Sequence, residues 1–130
     1  MATRALATFD NLSHDTSPLG LDAGGCARAQ IVRRYEGDLI GESRAELLIS
    51  QPADGLFGYV GLDVFTGSLA GRTGSFVFQH GGMYEAGAMR PFGFVVTGSG
   101  AGELTGLRGD IVIAALPNGR HAVTLDYAFD

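Results

Sequence analysis

The chain has 130 residues and a net charge of −5, and all 9 of its basic residues are Arg. Arginines scattered along an acidic chain do not make the clustered basic surface that nucleic acid requires, so no nucleic-acid partner is expected. No apolar run approaches the roughly 20 residues of a membrane-spanning helix, so no membrane partner is expected either.

The length suits one domain, residues 1–130, and a content of 45% hydrophobic residues can fill a core without staples. The 21 glycines carry no collagen period and point to strands that bend, bulge and turn tightly. Cys26 is the one cysteine, so no intrachain disulfide can form. Residues 1–20 include Arg4, Asp10, His14 and Asp15 and lack the continuous apolar stretch of a secretory signal; a cytoplasmic location is expected.

Ala2 to Phe9 reads as a first strand, and Asn11 to Gly25, with Pro18, Asp22 and three glycines, as a long loop, with Cys26 directly after its last two glycines and read as part of the same loop region. Ala29 to Tyr35 alternates as a second strand. Glu36-Gly37-Asp38 turns it into Leu39 to Ser50, where Glu42, Arg44, Glu46 and Leu48 point one way and Leu39, Ser43, Ala45, Leu47 and Ile49 the other. A reversal at Gly37-Asp38 sets Arg33 opposite Glu42.

Asp54-Gly55 is a type I′ hairpin signal, and it opens the most informative stretch, residues 56 to 84. A two-residue loop there sets Glu46 opposite Asp63 and Arg44 opposite Phe65. The stretch itself reads as a long hairpin reversing at Gly71-Arg72, the Gly-X form of a type II′ turn, so that Phe65 faces Phe78 and Asp63 faces His80. Phe57, Tyr59, Asp63 and Phe65 then share one face with Phe76, Phe78, His80 and Tyr84. Val60, Leu62, Val64, Val77 and Met83 share the other. Both faces are apolar, and periodicity alone leaves open which is inside. The other needs a cover, which a homodimer or other homo-oligomer would supply.

Glu85-Ala86-Gly87 turns the chain into Met89 to Val96, where Pro91 marks an edge, a bulge or a strand beginning. Gly98 to Gly102 is a loop, Leu107 to Leu116 a seventh strand, Pro117-Asn118-Gly119 a turn, and His121 to Phe129 an eighth strand. Eight strands, short connections and no amphipathic helix predict an all-β fold, an eight-stranded antiparallel β-barrel whose lumen can just hold side chains or one small ligand.

The sharpest candidate for chemistry is the row Glu46, Asp63 and His80 across three neighbouring strands. Two carboxylates beside an imidazole can give and accept protons: His80 as general acid or base, Asp63 orienting its ring, Glu46 holding or supplying a proton. The rival account is a polar row that only satisfies buried groups and sets strand register. Glu42, Arg44 and Glu46, extended by Arg33, form either a charge-neutral ladder along one wall or a clamp for a substrate carboxylate or enolate oxygen. Phe57, Tyr59, Phe65, Phe76, Phe78 and Tyr84 would wall a substrate site. His14, His80 and His121 lack metal-ligand spacing, and Gly98 to Gly102 lacks the Lys and helix of a phosphate loop, so no metal or phosphate site is expected.

Several motifs carry a resemblance: Gly37-Asp38-Leu-Ile-Gly-Glu42, Tyr59-Val-Gly-Leu, Thr66 to His80, Gly98 to Gly109 and Leu125-Asp-Tyr. Together they resemble the bacterial family catalogued as domain of unknown function 3224, over nearly the whole chain. That family is similar in turn to the allene-oxide-cyclase-like barrels, which include dirigent proteins and the cyclases of spirotetronate polyketide pathways. The resemblance implies a barrel around a ligand cavity, assembled into dimers or trimers, that directs ring closure of an apolar substrate without a cofactor. It supplies no residue roles, and shared architecture licenses function only as analogy.

The expected function is therefore a small-molecule cyclase or isomerase that folds an apolar, polyketide- or lipid-like substrate inside the lumen. A carrier that binds an apolar metabolite without converting it needs the same cavity, and a scaffold with a self-filled lumen is the third reading.

Overall fold

The computed structural model describes residues 2–20 and 25–130. Among them are nine strands and no helix: β1 (Thr3–Pro18), β2 (Cys26–Gly37), β3 (Leu39–Ala53), β4 (Leu56–Leu69), β5 (Arg72–Glu85), β6 (Ala88–Val95), β7 (Ala101–Gly102), β8 (Leu107–Ala115) and β9 (His121–Phe129). Among the described residues no helix is long and apolar enough to cross a membrane.

The strands are hydrogen-bonded in the order β4-β3-β2-β1-β9-β8-β6-β5, and a further β4–β5 pairing closes them into a ring of eight, all antiparallel. Closure removes open sheet edges and leaves an inner and an outer face. The two-residue β7 pairs with β5 at Gly74 and Ser75.

The aromatic face of the β4–β5 hairpin is the inner one: Phe65, Phe76 and Phe78 are buried with Phe9, Tyr35 and Leu125. Leu39, Leu69, Leu104 and Leu107 belong to the same cluster. A smaller cluster of Ala29, Ile31, Ala45 and Leu47 packs with Ile49 and Tyr59.

Four expectations need correction. The first strand does not stop at Phe9. It runs to Pro18, with a bulge between Asn11 and Ser13, and beyond Phe9 it pairs only with β2. The β2 ladder pairs one side of this extension, and its polar side chains can stand in water. Of the expected loop, residues 21–24 lie outside the described residues, and Cys26 opens β2.

The β4–β5 reversal is Ala70-Gly71, since Leu69 pairs with Arg72. Both loop residues have positive φ, 48° and 85°, as a type I′ turn demands. The Ala70 N–H donates to the Asp38 carbonyl at 2.9 Å, which helps to hold alanine in this conformation. Partners shift by two residues, so the faces survive: Asp63 lies opposite Phe78, and His80 opposite Gly61.

At β3–β4 the expected Asp54-Gly55 turn forms, with Ala53 paired to Leu56, but a bulge between Ala53 and Ser50 moves the register by one. Glu46 then pairs with Leu62 instead of Asp63, and Ser43 instead of Arg44 meets Phe65. The β2–β3 reversal is odd as well, so Arg33 lies opposite Ser43, and Glu42 opposite Arg34. The cause is burial. An even count would have turned Glu42, Arg44 and Glu46 inward and Leu39, Ala45 and Leu47 outward; desolvating charges costs more than a bulge.

Candidate functional site

The inner face places Asp63 at the centre of a buried hydrogen-bond network. Its Oδ1 accepts from Ser43 Oγ at 2.7 Å; its Oδ2 accepts from Arg33 Nη1 at 3.1 Å and lies 2.6 Å from His80 Nε2. Asp63 is 0% and His80 2% exposed. Arg33 balances the carboxylate charge, as a buried ion requires.

A carboxylate only accepts, so the proton of the His80–Asp63 bond sits on Nε2. In the neutral ring Nδ1 is then free to accept from the Tyr59 hydroxyl, 3.1 Å away. On the other side Ser43 spends its proton on Asp63 and accepts from the Tyr35 hydroxyl at 2.8 Å. One chain of bonds thus runs from Tyr35 in the larger core cluster to Tyr59 beside the smaller one.

Local sequence explains why the imidazole fits. His80 is flanked across both ladders by glycine, Gly61 on β4 and Gly93 on β6. A Cβ at Gly61 would run into Leu47, and one at Gly93 would run into Ile111 and crowd His80.

Tyr59 and Arg33 carry this network to the wall of a cavity of about 310 Å³, completed by Phe9, Asn11, His14, Ile31, Leu47, Ile49, Phe57, Ile113 and His121. Burial pushes the Tyr59 phenol above its ordinary range, opposed by Arg33 and reinforced by Asp63. Burial and then Asp63 raise Tyr35 to about 12. His121 is pushed down by burial and by Arg33.

Of the residues singled out by sequence, His80, Asp63, Arg33 and Tyr59 come together, with Phe57 on the cavity wall and Tyr84 stacked on it at 5.4 Å. Phe65, Phe76 and Phe78 are core packing and do not line the cavity. Glu46, Glu42 and Arg44 are exposed on the outer face. Glu46 pairs with Arg28 at 2.6 Å, and bonds from Arg28 and Gln30 hold its carboxyl down to about 2; Glu42 meets Arg34 at 3.5 Å.

Sequence reasoning missed Ser43, Tyr35, Phe9 and His121. For Ser43 a signal existed: it shares its parity with Leu39, Ala45 and Leu47, the apolar positions of β3. Among the described residues, no group of three or more His, Cys, Asp or Glu could hold a metal ion.

The outer face is also unusual. Leu48, Val60, Leu62, Val64, Met83, Phe92 and Phe94, from β3 to β6, are each about half exposed. Leu48, Val60, Leu62, Met83 and Phe92 border two open hollows of about 560 and 740 Å³.

No curated protein matches the chain. The chain is similar to a crystal structure of a protein with unknown function from the DUF3224 family of Shewanella oneidensis MR-1. The two are 34% identical, with a TM-score of 0.85 over 100% of this chain and 98% of that one. The family model described as "Protein of unknown function (DUF3224)" matches residues 5–127, and with that match the chain belongs to the DUF3224 family.

Proposed function

We propose that the ring is a ligand-binding barrel of the allene-oxide-cyclase-like kind. In this reading the protein is a cofactor-independent isomerase or cyclase for a small, largely apolar molecule. The observation that carries it is Tyr59, a residue of the cavity wall whose hydroxyl is bonded to His80 Nδ1, the His80 ring being held in turn by Asp63. A cavity of about 310 Å³ sits at the lower end of ligand pockets, so the ligand is compact, on the order of ten to fifteen heavy atoms.

The proton step balances without an oxidant or reductant. A ligand C–H proton passes to the Tyr59 oxygen while the Tyr59 proton passes to His80 Nδ1. Asp63 stabilises the resulting imidazolium, and the proton returns to a different ligand atom. Apolar walls hold the reacting atoms close.

Carriage without conversion is the second reading. It is favoured by the burial of His80 and Asp63, neither of which lines the cavity. One experiment separates the two: incubate the protein with a bacterial metabolite extract in D₂O and follow retained and released compounds by mass spectrometry. Proton transfer puts deuterium into a bound compound or isomerises it, and Tyr59→Phe abolishes this. Retention without exchange leaves a carrier, and no retained compound overturns both readings.

The apolar outer face is assigned to a second copy of the chain. Half-exposed side chains of this size leave roughly 80 Å² bare each, so seven present about 560 Å², approaching the ~800 Å² that each partner contributes to a standard interface.

A further inference from the structure

Among the described residues, two buried side-chain nitrogens lack a hydrogen-bond partner, Arg33 Nε and His121 Nδ1. Orphaned buried polar atoms are rare and costly. These two belong to residues on the wall of the same cavity, and both pack on one ring. The Arg33 guanidinium carbon lies 4.6 Å from the Phe9 centroid, and the His121 ring stacks on Phe9 at 4.9 Å. The rest of that wall is mainly apolar, through Ile31, Ile49, Phe57 and Ile113.

We infer that the cavity receives a compact monocarboxylic acid, its apolar body against Ile49 and Phe57 and its carboxylate drawn to the side where Arg33 Nε and His121 stand unpaired. Arg33 Nε–H can only donate, so the missing partner is an acceptor, and a charge-assisted bond to a carboxylate is stronger than one to a neutral carbonyl. Asp63 already balances the Arg33 charge. An incoming anion therefore needs a further proton, and His121 is placed to take it. The charged groups that act on His121 are Arg33 from β2 and Asp10 from β1; its β8 partner, Ala115, carries none.

This inference rests on the ligand-binding half of the reading above and not on proton transfer through Tyr59. The test is an NMR titration of the purified protein with 3-phenylpropanoate, cinnamate and 4-methylpentanoate, each against its primary amide. The imidazole signals of the three histidines serve as reporters. The acids should bind at least about ten-fold tighter than the amides, with His121 shifting toward its protonated form on acid binding. Arg33→Lys keeps a cation beside Asp63, and His121→Phe keeps a ring on Phe9. Each should shrink the acid preference, measured against the amide in the same variant, below about three-fold. Equal affinity for acid and amide, no binding by any acid, or a preference that survives both substitutions overturns the inference. The deuterium experiment, which uses no chosen acid, judges the proton-transfer reading separately.

Discussion

His80 Nε2 and Asp63 Oδ2 lie 2.6 Å apart although the two residues are not opposite each other in the ladder. Asp63 pairs with Phe78 and His80 with Gly61, so the bond runs diagonally across β4 and β5. Diagonal neighbours on one face stay within reach of long side chains.

Because Asp63 is, among the described residues, the one carboxylate bonded to buried Arg33, Asp63→Asn should strand a buried cation. The expected loss is about 3–5 kcal/mol of stability, read by urea denaturation. A loss under about 1 kcal/mol would mean that Arg33 finds water or another partner.

Alkaline stability should report on Tyr35. Its folded pKa, about 12, lies above the ordinary 10, so its contribution is complete below pH 10. As pH rises from 10 to 12 the unfolded chain ionises first, and about 2–3 kcal/mol should drain away over that window. Tyr35→Phe should flatten the profile there in denaturation series at stepped pH. An unchanged slope would place Tyr35 in contact with water.

The two Ala-Gly loops hold alanine at positive φ, 48° at Ala70 and 53° at Ala86. A left-handed alanine costs about 1–2 kcal/mol, partly offset by the greater chain entropy that glycine loses on folding. Ala70→Gly should therefore raise stability by about 0.5–1 kcal/mol, seen as a higher melting temperature. Ala86→Gly should act similarly, since both sites are exposed turns.

If a second copy covers the outer face, Leu62→Glu together with Phe92→Glu should halve the particle mass in light scattering with the strand spectrum intact. Both side chains are about half exposed, so the change costs the single chain little. A wild-type chain that sediments as a monomer would remove the assignment.

Much of this architecture was legible in the residues. Turn signals at Asp54-Gly55, Ala86-Gly87 and Asn118-Gly119 mark reversals, and the period-two aromatic pattern of β4 and β5 put Tyr59, Asp63 and His80 on one face before any coordinates. Glu46 was misplaced because a turn motif fixes loop length and says nothing of a bulge three residues away. The alternation along β3, charged at Glu42, Arg44 and Glu46 and apolar at Leu39, Ala45 and Leu47, held the answer: burial overrules an ideal loop count. Ser43 and Tyr35 were hidden by the register error at the β2–β3 and β3–β4 reversals, and His121 was less accessible still, since it meets Phe9 on a strand distant in sequence.

From the residues alone came the eight strands of the ring, though not the short β7 at Ala101–Gly102, and with them hairpin order and the pairing of faces within the central hairpin, because alternation and turn chemistry are local properties of the chain. Tertiary structure alone decided which wall faces inward, that Arg33 rather than Glu46 partners Asp63, and that His121 stands beside Phe9. Those depend on closing the ring: a one-residue slip reverses every side chain of a strand, and only the free energy of burying the whole interior selects among the registers.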